Sequence, residues 1–197
     1  FWTPAQYDIE GMKNLLGGTS AFTKKLDAFF TLQSLNPNKF LGQEAMIGQY
    51  AHGNEPSHHI VYLYAFSNSP KTGQKYIHKI INEFHNTTPN GMIGNDDCGQ
   101  MSAWYVFSSL GFYPVAPGSP NYALTSPSVT HAILHFADGK QLEIKTKKQS
   151  AQNVYIQSVT LNGVPLELPQ ITHSQITGGG ILEITLGPKP NKTLFRP

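Results

Sequence analysis

The chain has 197 residues, of which 39% are hydrophobic and only 13% charged, with 14 Pro, 18 Gly and a net charge of +2. That balance excludes a disordered, highly charged chain and describes a folded, loop-rich one, long enough for one large domain or two small ones. The basic residues are scattered, and the nearest thing to a run, Lys145, Lys147 and Lys148, reads as a solvated strand edge, so nucleic acid is not an expected partner.

The chain opens at Phe1-Trp2 without a starting Met, directly against a helix start, as the interior or end of a longer protein would. Thr3-Pro4-Ala5-Gln6 has the spacing of a capping box with Pro at the first helical position. Tyr7, Ile9, Met12, Leu15 and Leu16 follow a helical stripe, which Gly17-Gly18 would stop. A second helix is expected from Ser20 to about Leu32, burying Phe22, Leu26, Phe29 and Phe30. Residues 33–56, including "NPNKF", read as a long connection, and loops of that length are often functional.

From Ser57, an expected N-cap, "SHHIVYLYAFSNSP" carries apolar residues all round, the mark of an inner, buried helix. After Ser69-Pro70, Tyr76, Ile77, Ile80, Ile81 and Phe84 share one side, as on an outer helix. The loop "HNTTPNGMIGNDDCG" leads into another inner helix, "QMSAWYVFSSL", stopped at Gly111. Alternating inner and outer helices predict part of a two-layered helical toroid. No apolar stretch reaches the roughly 18 residues needed to span a bilayer.

Beyond "FYPVAPGSPNY" the period changes from 3.6 to 2. "HAILHF", Asp138-Gly139 and "KQLEIKT" read as a tight hairpin, "VYIQSVTL", Asn162-Gly163 and "VPLEL" as a second, and "GGGILEITLG" as a last strand. The expected fold class is α+β, with a helical part over residues 1–115 and an antiparallel, sandwich-like β segment over 116–197. The β segment has no cluster of acids or histidines and reads as packing support.

Two loops hold nearly all the informative polar residues: "AHGNEPSHH", Ala51 to His59, and "GNDDCGQ", Gly94 to Gln100. Both end at inner helices, and in a toroid such loops converge on a central cavity. Their oxygen donors, Asn54 and Glu55 in the first and Asn95, Asp96 and Asp97 in the second, suit a hard cation such as calcium. Zinc through His52, His58 and His59 fits less well. Adjacent His58 and His59 point about 100° apart on a helix, and the HxxxH spacing is missing.

Each piece also has a plainer reading. Asp96 and Asp97 can cap the helix that follows, and His58 and His59 can be polar residues of a first turn. The single cysteine, Cys98, excludes an internal disulfide framework, and no His with Asn or Asp is legible around it. A small buried residue is expected there. Trp104 is expected in the core rather than as a sugar platform.

"GQYAHGNEPSHHIVYLY" and "GNDDCGQMSAWYVFSSLGFYPVAPGSPNY", with "DIEGMKNLLGGTSAFTKKLDAFF" and the final strands, resemble glycoside hydrolase family 92, the calcium-dependent exo-acting α-mannosidases. The resemblance covers essentially the whole chain. It implies the last part of an (α/α)6 toroid over residues 1–115, then a β segment belonging with a sandwich built mainly from a preceding region. It implies hydrolysis of terminal α-mannosides with inversion, with calcium on the mannose O2 and O3 hydroxyls. Asn54 and Glu55 match the calcium-binding loop, and Asp97 matches the general base. Asn95 stands where some members carry Asp, and an amide cannot accept the proton, so Asp97 alone would carry that role. His58, His59 and Asp96 fall in segments that line the sugar subsite and are expected to touch substrate.

Inversion also needs a carboxylic acid roughly 6.5–9.5 Å from the base carboxylate. The resemblance places it in a glutamate just before Phe1-Trp2, and Glu10 and Glu44 are poor replacements. The isolated chain is therefore expected to be inactive. "FWTPAQYDIEG" departs from the family pattern, with Ala5-Gln6 where a His-Asp pair is expected. The implied partners are mannose-containing glycans and the remainder of a longer protein, in a bacterial periplasm or at the cell surface. The competing readings are a non-catalytic carbohydrate-binding or assembly module and an (α/α)6 glycosidase of another specificity.

Overall fold

The structure is a computed structural model that describes residues 6–32 and 46–195. Thr3, Pro4 and Ala5 of the expected capping box, and "NPNKF" and Glu44 of the long connection, lie outside the described residues. Helix α1, Ile9–Leu16, starts later than the stripe suggests because Asp8 caps it, its carboxylate accepting the Gly11 N–H at 2.8 Å. Only part of the stripe is used: Met12 is buried, Ile9 and Leu16 are partly buried, and Leu15 is 91% exposed. Helix α2, Thr19–Thr31, buries Phe22, Leu26 and Phe30 and packs on α1.

A short hairpin of β1, Met46–Ile47, and β2, Tyr50–Ala51, leads into the first motif. Ser57 is not an N-cap: it ends a 3₁₀ turn, Glu55–Ser57, that starts from Asn54. Ile60–Phe66 then winds as a 3₁₀ helix rather than an α-helix, with Ile60 to Tyr64 all buried. Apolar residues on every side give no stripe whose period would separate 3.0 from 3.6 residues per turn. Helix α3, Pro70–Glu83, has Pro at its start and lays Ile77, Ile80 and Ile81 against the 3₁₀ helix. Helix α4, Gln100–Leu110, buries Met101, Trp104, Ser108 and Ser109 and ends at a left-handed Gly111. Tyr105 and Val106 face outward, so α4 is not buried all round.

The remaining elements are β3, Phe112–Tyr113; β4, Asn121–Leu124; β5, His131–His135; β6, Gln141–Lys147; β7, Tyr155–Leu161; β8, Val164–Pro165; β9, Gln170–Thr172; α5, His173–Gly178; and β10, Gly180–Gly187. Strands β3, β4 and β9 form a three-stranded sheet, and the other five form a sheet in the order β5-β6-β10-β7-β8. Both expected hairpins, β5–β6 and β7–β8, are present. The expectation of a purely antiparallel segment is corrected by β10, which runs antiparallel to β7 but parallel to β6. A strand inserted between two strands of opposite direction must run parallel to one of them. The insertion also removes the expected edge: β6 is an inner strand, and Lys145 and Lys147 stand on its outer face, paired with Glu143 at 3.0 Å and Glu183 at 2.7 Å.

Two apolar clusters form. The first gathers Phe22, Leu26, Phe30, Tyr62, Tyr64, Trp104 and their neighbours; the second gathers Leu142, Ile144, Ile156, Leu182 and Ile184 among others. The small sheet lies between them, and side chains alternate sides along a strand. Tyr113 and Ala123 enter the first cluster, while Phe112 and Leu124 enter the second. The result is a mixed α+β chain in which the two polar motifs sit on the first cluster.

Candidate active site

The two loops meet backbone to backbone. A Cβ on Gly94 would lie 2.4 Å from the Gly53 carbonyl oxygen, and Gly94 has φ +74°, so both space and angle demand glycine. From that contact the motifs run on in step. The Glu55 and Asp97 carboxyls are neighbours across the two loops. Gln100 donates through Nε2 to His58 Nδ1 at 3.3 Å, and Trp104 Nε1 donates to the His58 carbonyl oxygen at 3.1 Å. Trp104 is fully buried, as expected, and serves as a brace under the first loop.

The second loop divides the roles of its two acids. The carbonyl of Asp96 accepts the Met101 N–H at 3.2 Å, and its Oδ1 accepts the Ser102 N–H at 2.9 Å. Gly99 holds the N-cap position of α4, and Asp96, three residues before it, takes over the capping of the first-turn N–H groups. Asp97, Cys98 and Gly99 then follow at φ +44°, +59° and +91°, three left-handed residues in succession. Each non-glycine member costs about 1 kcal/mol or more. Cys98 is exposed, against the expectation of burial, because this turn projects it away from the core. Asp97 is turned towards the first loop. Asn95 is exposed beside it, and Asn54 is exposed at the start of the 3₁₀ turn, its carbonyl accepting the Ser57 N–H at 3.0 Å.

A cleft of 360 Å³ opens at Glu55, lined also by His58, His59, Gln100 and Tyr113 among others, while Asn54, Asn95, Asp96 and Asp97 are not in its lining. His58 and His59 are both buried in its wall. The His58 tautomer follows from its partners: Nε2 lies 3.0 Å from the His52 carbonyl, which can only accept, so Nε2 carries the proton and Nδ1 accepts from Gln100. Burial, more than anything else, lowers its pKa to about 4, which keeps the ring neutral. Behind it His52 is sealed, with Nδ1 2.9 Å from the Tyr50 hydroxyl and Nε2 unpartnered. Burial, then His58 and His85, push its pKa down to about 2.

Gln100 and Tyr113 line the candidate site although the motifs alone do not single them out. Gln100 also donates to the Tyr113 hydroxyl at 3.2 Å, so it fastens the cleft floor to strand β3. The only sequence signal for either is position, one closing the acidic loop and the other following the helix stop.

The donor set favours a hard cation over zinc. The neighbouring Asp97 carboxyl raises the Glu55 pKa, as a second acid close by does. The amide oxygens of Asn54 and Asn95 are the other donors of these loops, and an oxygen-only set of this kind suits calcium chemistry, with water or ligand oxygens filling the shell. Among the described residues no three His, Cys, Asp or Glu side chains are grouped to hold a metal by themselves.

Residues 2–188 match the glycosyl hydrolase family 92 catalytic domain. The chain is 34% identical over 190 residues to an uncharacterized secreted glycosidase of Arthroderma benhamiae, covering 95% of this chain and 22% of that protein. A family GH92 α-mannosidase from Bacteroides thetaiotaomicron superposes with a TM-score of 0.89 at 37% identity, over 96% of this chain and 25% of that one. Its structure in complex with mannoimidazole gives 0.90. A family GH92 inverting mannosidase from the same organism superposes with a TM-score of 0.83 at 33% identity, over 98% of this chain and 28% of that one. The chain spans about a quarter of the length of these relatives. On the match along nearly its whole length, the chain belongs to glycosyl hydrolase family 92 and forms part of the family's catalytic domain.

Proposed function

We propose that this chain carries the general-base and cation-binding part of an inverting, calcium-dependent exo-α-mannosidase that acts on terminal α-mannosides of glycans. The observation that carries the reading is the close backbone meeting of the two motifs at Gly53 and Gly94, which brings Asp97 of one beside Glu55 of the other, with Glu55 lining a cleft walled by His58 and His59. Relatives support it: among the solved ones are an α-mannosidase, also in complex with mannoimidazole, and an inverting mannosidase. In this reading the helical part, residues 1–115, belongs to an (α/α)6 toroid and residues 116–197 belong with a β-sandwich.

The roles follow from chemistry. Asp97 is exposed, so water can reach its carboxylate, which takes a proton from that water as it attacks the anomeric carbon. Asn95 cannot share the task, since an amide is no base. Glu55 and Asn54 hold calcium, which when bound polarises and orients sugar hydroxyls. His58, neutral and anchored at both nitrogens, shapes the wall, and His59 beside it faces the same sugar. The general acid comes from the rest of the protein, so the 197-residue chain alone is inactive. The secreted fungal relative supports export, and we place the protein in a bacterial periplasm or at the cell surface. No helix among the described residues is long and apolar enough to cross a membrane.

The test is a panel of aryl α-mannosides and α-glucosides offered to the full-length protein with calcium and with chelator. Calcium-dependent cleavage of mannosides, lost in Glu55→Ala and Asp97→Asn, is expected. Cleavage of glucosides in preference would assign another specificity. Sugar binding without turnover would assign a non-catalytic carbohydrate-binding module.

A further inference from the structure

Asp96 is not used by the chemistry above, yet it is anchored twice to the helix that follows the acidic loop. Its carbonyl and its side chain hold two successive N–H groups of the first turn of α4, those of Met101 and Ser102. Between that anchor and Gln100 the chain turns through Asp97, Cys98 and Gly99, all left-handed. The turn is uphill for the first two, so it does not hold itself. Its internal tie is a 3.3 Å bond from the Gln100 N–H to the Asp97 carbonyl. Released from the cap, Asp97 and Cys98 relax towards right-handed angles, and the Asp97 carboxyl swings away from Glu55.

We propose that Asp96 is a positioning residue: by capping α4 with its side chain it locks the left-handed turn that sets Asp97 opposite Glu55. The inference rests on Asp97 being the base. It assigns Asp96 a part in which the acceptor oxygen matters and the negative charge does not. An amide oxygen at the same place accepts the same N–H, whereas a methyl group does not.

The experiment compares Asp96→Ala, Asp96→Asn and Asp97→Asn in the full-length protein on an aryl α-mannoside at saturating calcium, reading kcat and KM separately. Asp96→Ala is expected to lower kcat about 10- to 100-fold with KM changed less than about threefold, the cost of a misplaced catalytic group. Asp96→Asn is expected to regain most of that loss. The inference is overturned if Asp96→Asn is as slow as Asp96→Ala, which would mean that the charge acts on substrate or cation directly. It is also overturned if Asp96→Ala keeps its full kcat. If Asp96→Ala does not fold, Asp96→Asn still decides: near-normal kcat supports the cap, and a loss as deep as that of Asp97→Asn overturns it. An active Asp97→Asn would sink the base assignment and this inference together, whereas a dead Asp97→Asn beside a slow Asp96→Asn sinks this inference alone.

Discussion

Around Trp104 the chain seals away His52, His58, His59 and the hydroxyl of Ser108, which bonds Tyr62 at 2.6 Å. In the five-stranded sheet, by contrast, Glu143, Lys145, Lys147, Glu183 and His131 pair with one another on the outer face, over a core of Leu142, Ile144, Leu182 and Ile184. The difference is one of cost. Buried polar groups lose their water and must be repaid bond by bond, while outward ion pairs cost little and contribute little. The helical part concentrates the costly arrangement under the cleft, with Gln74, which accepts the Ile156 N–H at 3.0 Å, as a further buried polar group elsewhere. The second core is a mainly apolar one, with Thr146 as a buried polar residue of its strands, and its charged groups look outward.

The sharpest way to test that contrast is to strike each side at its most specialised point. Asp97→Asn in the full-length protein should lower kcat about 10²–10⁴-fold with little change in thermal stability. Next come the cores themselves. Trp104→Ala should cost about 3–5 kcal/mol and Ile184→Ala about 2–5 kcal/mol in denaturant titrations. Only the first should also depress turnover, because only Trp104 bonds the loop that carries Glu55. Equal effects of the two on kcat would erase the distinction.

Acid should then separate the two parts by pH. His52 and His58 have folded pKa values lowered to about 2 and about 4, below the ordinary 6.5. Their neutral forms are favoured by the fold, so they cost nothing above about pH 6.5. As pH falls below that, the unfolded chain takes up protons that the folded chain refuses. Stability should drop by up to about 1.4 kcal/mol per pH unit for each ring. Asp138 and Glu143 have pKa values lowered by their hydrogen bonds to Lys140 and to His131 and Lys145, so their contribution fades only below the ordinary carboxylate range. Urea midpoints measured from pH 7 to pH 4.5 should therefore fall, and fall less in His58→Gln; a flat profile would contradict the buried, neutral pair. The smallest effect belongs to the sheet surface: Lys147→Ala should change stability by no more than about 1 kcal/mol.

Much of this was legible in the sequence, wherever a period or a turn residue speaks for itself. Helices α2, α3 and α4 follow their stripes and stops, and both hairpins follow Asp138-Gly139 and Asn162-Gly163. The meeting of the two polar loops was also foreseeable, from their shared place before buried segments. What escaped were features decided by partners far away in the chain. The seat of β10 between the hairpins depends on a pairing with β6 that no local pattern encodes. Asp96 and Asp97 are identical in sequence and differ only through the left-handed turn between them and α4. Burial of Cys98 was expected from its size, and exposure follows from that same turn. Gln100 joins the site through His58 and Tyr113, contacts that only the folded chain supplies.

The alternation of Phe112 and Tyr113 on β3 makes the small sheet a party wall, furnished from both sides. A slip of one residue would hand the phenol of Tyr113 to the sheet's core and the ring of Phe112 to the aromatic floor beneath the cleft. Strands this short would ordinarily drift, yet here each neighbour vetoes the other's mistake. A repair to the masonry on the sheet side, far from any sugar, would thus be felt at Gln100 through the Tyr113 hydroxyl it holds.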